Sequence, residues 1–232
     1  MLEMCHCLRM RIGILGGTGP AGSALAARLA SIGYEVVIGS RSSERAQEIV
    51  TDLVVKFPEL KAQLFGGDNS EASACDLVVV ATPWDSAAAT VQENADALSG
   101  KIVISMANAL VRVAGEFQPL LLPRGSVAAH IQAAIPKSRV VAAFHHLPAK
   151  TLGNIGQPID SDVLVCSDDR EAIVIVSEIV ARIPGCRPLD AGLLSNALAI
   201  EAFTAVLLQL NVRYKTHVAT KITGIRPPTA QS

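Results

Sequence analysis

Residues 11–22 read Arg-Ile-Gly-Ile-Leu-Gly-Gly-Thr-Gly-Pro-Ala-Gly, and this stretch decides the fold. A short apolar run ends in glycines and gives way to a helical pattern rich in alanine and leucine, which predicts a buried strand that turns directly into a helix. The turn contains the spacing G-x-G-x-x-G as Gly17, Gly19 and Gly22. We expect Gly17 to permit the tight turn, Gly19 to let the main chain approach a pyrophosphate, and Gly22 to let the helix lie close to the sheet.

The free N–H groups and partial positive charge of a helix N-terminus favour phosphate groups, so this turn predicts a dinucleotide site. The glycine spacing alone is weak evidence, and the alternative is a structural turn without a ligand. The strand before the turn and the helix after it are the context that the binding mechanism requires, and they favour the dinucleotide.

The end of the second strand indicates which dinucleotide is bound. A site for NAD usually has Asp or Glu about 20 residues after the glycines, where it accepts from the ribose hydroxyls. This chain has Gly39-Ser40-Arg41 there, with Arg45 four residues on. One hydroxyl and two guanidinium groups suit a ribose 2′-phosphate, so we predict NADP(H). The alternative is a solvated basic helix start with Glu44 nearby.

Strands and helices alternate along the first 150 residues, which predicts an α/β protein with a doubly wound parallel sheet. After residue 150 the pattern changes to a strand, a helix capped by Asp168, a short segment Arg187–Asp190 and a long apolar helix from about Leu194 to Arg213. We therefore predict a disordered extension over residues 1–9, an NADP-binding domain over residues 10–150 and a small C-terminal α/β capping domain over residues 151–232.

The composition excludes several classes of protein. Half of the residues are apolar, 18% are charged and the formal net charge is −1. Such a chain is neither disordered nor basic enough for a typical nucleic-acid-binding protein. A membrane-spanning helix needs about 18 uncharged apolar residues, and the apolar segment Ala197 to Leu210 is interrupted by Glu201. The apolar final helix is expected to be buried against the first domain or a second subunit, which favours a homodimer.

The cysteines indicate the compartment. They are five in number without a repeated C-x-x-C spacing, which is typical of reduced thiols in a cytoplasmic protein. Cys5-His6-Cys7 offers weak metal ligands, but we interpret it as part of an unstructured extension and predict no metal site.

Two further segments follow predicted strands and are expected at the ligand-binding edge of the sheet. Thr82-Pro83-Trp84 is expected to face the adenosine and ribose, and Met106-Ala107-Asn108 the nicotinamide. The alternative for Trp84 is simple packing.

The chain resembles the NADPH-dependent reductases of coenzyme F420, an 8-hydroxy-5-deazaflavin, from about residue 10 to residue 225. The segments that carry the resemblance are Gly16–Gly22, Gly39–Arg41 with Arg45, Thr82–Trp84, Phe144–Ala149 and Arg187–Asn196. The last two are the most specific. The resemblance implies reversible hydride transfer between NADPH and F420. It also implies NADP contacts from Thr18, Gly19, Pro20, Ala21, Ser40, Arg41, Arg45, Thr82, Ser86, Asn108 and Ala149. The family more often has His in place of Ser86 and Val in place of Asn108.

Hydride transfer between planar rings needs stacking, distance control and exclusion of water, and no nucleophile. His145 and His146 follow a predicted strand and are expected at a rim that faces the ring, where one would hydrogen-bond the deazaflavin or balance its developing charge. The alternative is a histidine packed at a strand end with a main-chain partner. Leu147 and Pro148 are expected to form the apolar wall of the ring pocket.

The C-terminal charges give one more expectation. No Asp or Glu follows Glu201, whereas Arg213, Lys215, Lys221 and Arg226 do. This basic rim would attract a phosphorylated, polyglutamyl cofactor tail, or it has no partner at all. Glu201 is expected to pair with one of these bases or to face water.

Two other interpretations remain open at this point. NADPH could reduce a different acceptor, namely a flavin, a ferric complex or an imine. The chain could also be a non-catalytic module that senses NADP, which would need only residues 10–145 and would leave the apolar final helix unexplained.

Overall fold

The computed structural model describes residues 10–225. The strands are β1 (Arg11–Leu15), β2 (Glu35–Ser40), β3 (Leu64–Asp68), β4 (Leu77–Val80), β5 (Ile102–Ser105), β6 (Leu110–Val113), β7 (Glu116–Pro119), β8 (Arg139–Ala142), β9 (Ser161–Ser167) and β10 (Cys186–Asp190). The α-helices are α1 (Pro20–Ser31), α2 (Ser43–Lys56), α3 (Asn69–Ser73), α4 (Trp84–Glu93), α5 (Ala95–Leu98), α6 (Val127–Ala134), α7 (Ala149–Leu152), α8 (Arg170–Arg182) and α9 (Ala197–Tyr214).

The main sheet has the order β10-β9-β8-β5-β4-β1-β2-β3. Six neighbouring strands of this sheet, in the order β3, β2, β1, β4, β5 and β8, pair in parallel, with Ile12 of β1 opposite both Val36 of β2 and Leu77 of β4. β6 and β7 form a separate antiparallel pair. The chain winds outward in one direction from β1 and in the other from β4. Ligands of doubly wound sheets bind at this reversal, beyond the carboxyl ends of β1 and β4. The predicted α/β fold class is confirmed.

The sheet continues past residue 150, where the sequence predicts a domain boundary. β9 pairs with β8 in antiparallel orientation, and β10 pairs in parallel with β9. The sequence predicts a parallel sheet. At this end the sheet is instead mixed, because the chain reverses direction after β8 and β9 runs antiparallel to it. Main-chain hydrogen bonds join the C-terminal part to the strands before it, and the two-domain division stays a prediction.

Alternate strand residues face opposite sides of the sheet, and each side has its own apolar core. The first core contains Ile12, Ile14, Leu25, Leu29, Val36, Ile38 and Val176, so it packs β1 and β2 against α1 and α8. The second contains Leu15, Val78, Val80, Val91, Ile131, Ala197 and Ile200, so it packs the other side against α4, α6 and α9. Only 3% of the residues are aromatic, and both cores consist mainly of aliphatic side chains.

Helix caps correct one prediction. The Ser42 hydroxyl accepts from the Arg45 N–H at 3.2 Å and caps α2. The cap of α8 is Asp169, whose carboxylate accepts from the N–H of Ala172 at 2.8 Å. The predicted cap, Asp168, instead accepts from the N–H of Leu194 at 3.1 Å.

Within residues 10–225, one helical stretch, Leu194–Tyr214, is long and apolar enough to cross a membrane by length and composition, with a mean hydropathy of 1.3. Core helices of soluble proteins satisfy the same criterion. One face of α9 is buried, with Ala197, Ile200 and Thr204 inside, and the other exposes Phe203 and Val206. Within this chain, α9 is therefore buried on one face only.

Candidate functional site

The turn between β1 and α1 lies beside the β2 tip. The Gly17 N–H donates to the Gly39 carbonyl at 2.9 Å, which ties the turn to β2. The left-handed conformation of the turn is at Gly16, with φ of 65°, and not at Gly17. A side chain on Gly17 would instead collide with the Ile14 carbonyl at 2.9 Å. Gly17 is therefore required for close packing, and Gly16 for the turn itself.

The other two glycines of the motif lie in different surroundings. A Cβ on Gly22 would lie 2.8 Å from the Gly17 Cα, so the first turn of α1 packs directly on the loop. A Cβ on Gly19 would meet nothing within 4 Å, so the main chain there borders open space. The open space at Gly19 is where the free N–H groups of the α1 N-terminus would receive a phosphate.

A cleft of about 510 Å³ opens over this turn. It brings together ten of the predicted cofactor-binding residues, namely Thr18, Gly19, Pro20, Ala21, Gly22, Ser40, Arg41, Thr82, Pro83 and Ser86. It also includes Gly16, Asn69, Ala81 and Thr90, which were not predicted as site residues. Residues separated by 70 positions in the chain thus share one cleft because β1, β2 and β4 end at the same edge of the sheet.

The other predicted residues lie outside this cleft. Gly17 is buried beneath the loop, and Ala149 lines a neighbouring groove with Pro20. Arg45 is exposed and forms an ion pair with Glu48 at 2.8 Å, so its guanidinium is directed along α2. An exposed Arg45 in an ion pair resembles the alternative interpretation, in which this segment is a solvated basic helix start.

At the β2 tip, the Ser40 hydroxyl accepts from the Ser42 N–H at 3.3 Å, which leaves its proton free to donate toward the cleft. Arg41 is exposed and forms no ion pair with any described residue. The sequence predicts no carboxylate here, yet Asp68 at the β3 tip is paired in register with Ser40. Asp68 caps α3 by accepting from the Glu71 N–H at 2.8 Å, so its carboxylate is already engaged.

Five buried polar side-chain atoms without a partner lie at the carboxyl ends of β4, β5 and β8. They are the Thr82 Oγ1, the Ser105 Oγ, the Asn108 Oδ1, the His145 Nε2 and the His146 Nδ1, and none has a hydrogen bond within the described part of the chain. Leaving such an atom unpaired costs about 1–3 kcal/mol, so most buried polar atoms have partners. The five lie at the ends of strands that are neighbours in the sheet, so they mark this edge as a place for a polar ligand.

His145 is buried, with 4% of its surface exposed. Its Nδ1 lies 3.2 Å from the Ala107 carbonyl oxygen, which requires the proton on Nδ1 and leaves a lone pair on Nε2. Burial, with a smaller contribution from His146, lowers the pKa of His145 to about 3. The neutral ring can accept a hydrogen bond, but it does not balance a negative charge, which corrects one of its two predicted roles.

His146 is also buried, and its Nε2 donates to the Asp162 carbonyl at 2.7 Å. Burial lowers the pKa of His146, so this ring too is neutral near pH 7. The Asp162 carboxylate holds Arg187 through two hydrogen bonds of 2.8 and 2.7 Å. His146 therefore joins the segment after β8 to the paired strands β9 and β10, which resembles the packing alternative.

Two residues whose side chains make hydrogen bonds near the site were not predicted from the sequence. Asn69 accepts from the Gly16 N–H at 3.3 Å and so supports the phosphate turn from β3. The Thr204 hydroxyl of α9 lies 3.5 Å from the His145 carbonyl oxygen. A signal for Asn69 exists in the sequence, because Asp68 and Glu71 have the spacing of a capping box, which the structure contains.

The C-terminal charges differ from their expected arrangement. Glu201 is buried and accepts from the N–H groups of Val127 and Ala128 at 2.8 and 3.1 Å. It neither pairs with a base nor faces water, because its carboxylate caps α6. Arg213 pairs with Glu116, and Lys221 pairs with Asp160, which weakens the expected basic rim. Arg226, like Cys5-His6-Cys7, lies outside the described residues.

In residues 10–225, no group of three or more His, Cys, Asp or Glu side chains is arranged to hold a metal ion. Among the described residues that line the cleft, Arg41 is the one with a charged side chain. The arrangement suits the binding and orientation of a phosphorylated nucleotide.

Comparison with known proteins covers nearly the whole chain. Residues 11–109 match the family described as NADP oxidoreductase, coenzyme F420-dependent. An F420-dependent NADP reductase of Methanocaldococcus jannaschii is 37% identical over 222 residues, which is 94% of this chain and 97% of the relative. The metalloreductase STEAP3 of Rattus norvegicus is 32% identical over 198 residues, which is 85% of this chain and 37% of that protein.

A solved structure supports the same relationship. It is an F420-dependent NADP-reductase candidate from Arthrobacter sp. FB24 and aligns with a TM-score of 0.79 at 28% identity. The alignment covers 92% of this chain and 99% of that chain. The fold, the glycine turn and the long alignment agree, and the chain belongs to the family of F420-dependent NADP reductases.

Proposed function

We propose that the protein transfers a hydride between NADPH and coenzyme F420 in either direction. The observation that supports this proposal most strongly is a row of unpartnered buried polar atoms. It begins at Thr82, which lines the cleft over the glycine turn, and continues at Asn108 and His145, which follow the neighbouring strands β5 and β8. When bound, NADPH supplies a hydride from its nicotinamide, and the oxidised deazaflavin takes up that hydride and one proton. The relative from Methanocaldococcus jannaschii is named for this pair of cofactors.

The residues of the cleft would bind the NADP. The N-terminus of α1 offers free N–H groups to the pyrophosphate. Ser40 and Arg41 would hold the 2′-phosphate, with Arg45 joining them after release from Glu48. An amide or hydroxyl of the nicotinamide end would pair with the Thr82 and Asn108 oxygens, which removes the cost of leaving them unpaired.

The segment after β8 would orient the acceptor ring. The His145 Nε2 carries a lone pair and would accept from an N–H or O–H of the deazaflavin. Leu147 is buried beside it, and Pro148 is half-buried. We assign these apolar side chains to the wall that excludes water from the reacting rings. The protein thus supplies orientation and a dry site, and the cofactors supply the chemistry.

The decisive assay mixes the purified full chain, NADPH and oxidised F420 and records the loss of the deazaflavin's visible absorbance. We expect NADPH-dependent bleaching and its reversal when NADP⁺ is added to reduced F420. FMN and ferric citrate serve as parallel acceptors at the same concentration. The proposal would be contradicted if the F420 absorbance changed in neither direction of the reaction while ferric citrate was reduced rapidly.

The ferric acceptor is kept as the second candidate function for a specific reason. The metalloreductase STEAP3 aligns with 85% of this chain, so a part similar to this chain occurs in a protein named as a reductase of metals. The chain spans only 37% of the length of that relative.

We also propose a cytoplasmic homodimer in which a second copy covers the exposed face of α9. Leu198, Phe203, Val206 and Tyr214 are between 38% and 72% exposed on this helix. Exposed apolar patches of this kind are typical of interfaces. Light scattering coupled to size exclusion should give twice the chain mass, and Phe203→Glu should shift the protein to the monomer.

A further inference from the structure

Arg28 has an unusual place in the structure. It lies on α1, two turns beyond the glycine loop, and its side chain is completely buried. Its guanidinium donates hydrogen bonds to five different main-chain carbonyls. The acceptors are Leu152 at 3.0 Å, Ile155 at 3.2 Å, Gln157 at 3.0 Å, Thr151 at 3.1 Å and Asn154 at 2.6 Å.

A guanidinium has five N–H donors in a fixed planar geometry, and here each of them is used. No carboxylate of the described residues pairs with this cation. Its charge is balanced instead by carbonyl dipoles, two of which belong to the last residues of α7, where a helix favours a positive charge. Burial lowers the pKa of Arg28, although the group remains a cation at neutral pH.

The five hydrogen bonds of Arg28 join two parts of the candidate site. The first turn of α1 bears the phosphate-binding loop, and the segment from His145 to Ala149 leads directly into α7. One turn before Arg28, Ala24 packs against Gly153, where an added Cβ would lie 3.4 Å from the Ala24 Cβ. Pro20, still earlier on α1, lines a groove together with Ala149. One face of α1 therefore contacts the α7 segment along its length.

We propose that Arg28 is a positioning residue for hydride transfer, which fixes the His145–Ala149 segment relative to the phosphate-binding loop. This inference rests on the proposed function. The loop sets where the nicotinamide nucleotide lies, and the segment sets where the acceptor ring lies. The distance between the two rings then depends on how α1 packs against α7 and the residues after it. Arg28 supplies five hydrogen bonds to this contact.

The test compares Arg28→Lys with Arg182→Met. Lysine keeps the charge but has three donors and no planar fork, so it can satisfy only part of the set. Arg182 also binds near the end of α1, through the Ile32 carbonyl at 3.0 Å and the Tyr34 hydroxyl at 3.2 Å, but it does not contact residues 145–157. It therefore controls for a general loss of stability.

For each variant, stopped-flow absorbance gives the single-turnover rate of F420 reduction per folded molecule, at a temperature well below its melting point. A misplacement of about 1 Å costs roughly a hundredfold in rate. We expect Arg28→Lys to slow the step at least tenfold, with the Kd for NADPH within twofold of the parent. Arg182→Met should keep the parent rate per folded molecule, even where its melting temperature falls.

A second variant keeps the test valid if Arg28→Lys fails to fold. Ala24→Leu enlarges the α1 side chain that packs against Gly153, where even a Cβ on Gly153 would lie 3.4 Å from the Ala24 Cβ. Overpacking at this contact shifts α7 relative to α1 while Arg28 is untouched. We expect a severalfold slower hydride step and an unchanged Kd for NADPH. Parent-like rates in Ala24→Leu and in folded Arg28→Lys would overturn the positioning role. A parent protein that fails to reduce F420 would instead contradict the proposed function.

Discussion

The side-chain amide of Asn108 donates a hydrogen bond to the main-chain carbonyl of His145, with 3.0 Å between Nδ2 and the oxygen. This bond joins the segment after β5 to the segment after β8, two strands that are neighbours in the sheet. It also fixes the amide so that its Oδ1 is buried without a partner. The cross-link and the free acceptor therefore belong to one side chain.

Replacing Asn108 by Val removes both the cross-link and the acceptor while keeping a similar volume. The loss of a net hydrogen bond costs about 1 kcal/mol, so we expect the Kd for NADPH to rise roughly fivefold. The hydride step should slow as well, because His145 loses a constraint. Fluorescence titration with NADPH measures the first effect. A Kd within twofold of the parent would show that Oδ1 does not contact the nucleotide.

The two arginines near the β2 tip should contribute unequally to nucleotide choice. Arg41 lines the cleft without an ion pair, whereas Arg45 must first leave Glu48. A hydrogen bond to a charged group contributes about 1.5–3 kcal/mol, so Arg41→Ala should weaken NADPH roughly tenfold to a hundredfold. Arg45→Ala should have a smaller effect, and NADH binding should change little in either variant. Equal losses for both nucleotides would contradict the assignment of the 2′-phosphate to this place.

The glycine turn shows how much of the site the sequence could predict. Gly17, Gly19 and Gly22 carry a spacing whose mechanism depends on local backbone geometry, and the strand and helix around them follow from local patterns. Thr18 and Ser40, which the sequence analysis selects, line one cleft in the structure. The sequence does not show that Gly16 has the positive φ, because a spacing does not reveal which of two adjacent glycines adopts it.

Long-range contacts were beyond prediction. β3 and α3 were missed because the strand Leu64–Asp68 contains two glycines and exposes Phe65, which hides the alternation typical of strands. Asn69 was missed with them. Glu201 was expected to face water or a base, since nothing local to α9 shows that the N-terminus of α6 lies against it. Such partners are 74 residues apart in the chain and are brought together only by the packing.

His145 should affect the acceptor and not the nucleotide. Its Nε2 is the unpartnered acceptor, and its Nδ1 is engaged with Ala107. We expect His145→Ala to slow the reduction of F420 by NADPH roughly tenfold, the effect of losing about 1.4 kcal/mol of interaction with the ring. The Kd for NADPH should stay within twofold. Steady-state rates at saturating NADPH measure the change, and an unchanged rate would assign His145 to packing alone.

The same residue should make the fold sensitive to acid. The pKa of His145 is lowered to about 3 in the folded state, compared with about 6.5 in an unfolded chain. Between these values the unfolded state binds the proton, so the free energy of unfolding falls as the pH falls, by about 1.4 kcal/mol per pH unit for one such group. Replacing His145 by Asn, which retains a donor for Ala107, should reduce this slope between pH 6 and 4. Urea denaturation at several pH values measures it, and parallel slopes would contradict the lowered pKa.

Glu201 should act in the opposite direction. Burial raises its pKa to about 7, although the N–H groups of Val127 and Ala128 oppose the shift, and the value in an unfolded chain is about 4.3. Between these values the folded state binds the proton, so this group's contribution to stability is complete below about pH 4.3 and is lost as the pH rises to about 7.

Glu201→Gln keeps one acceptor for α6 but does not titrate. The difference in unfolding free energy, parent minus variant, should therefore decrease as the pH rises from 4.5 to 7, by up to about 1.4 kcal/mol per pH unit, and stay level above that. Urea denaturation of both proteins across this range gives the difference directly, and the contribution of His145 cancels because both proteins contain it. A difference that is constant with pH would mean that the Glu201 carboxylate is already ionised at pH 4.5, so that the two N–H groups of α6 outweigh the cost of burying its charge.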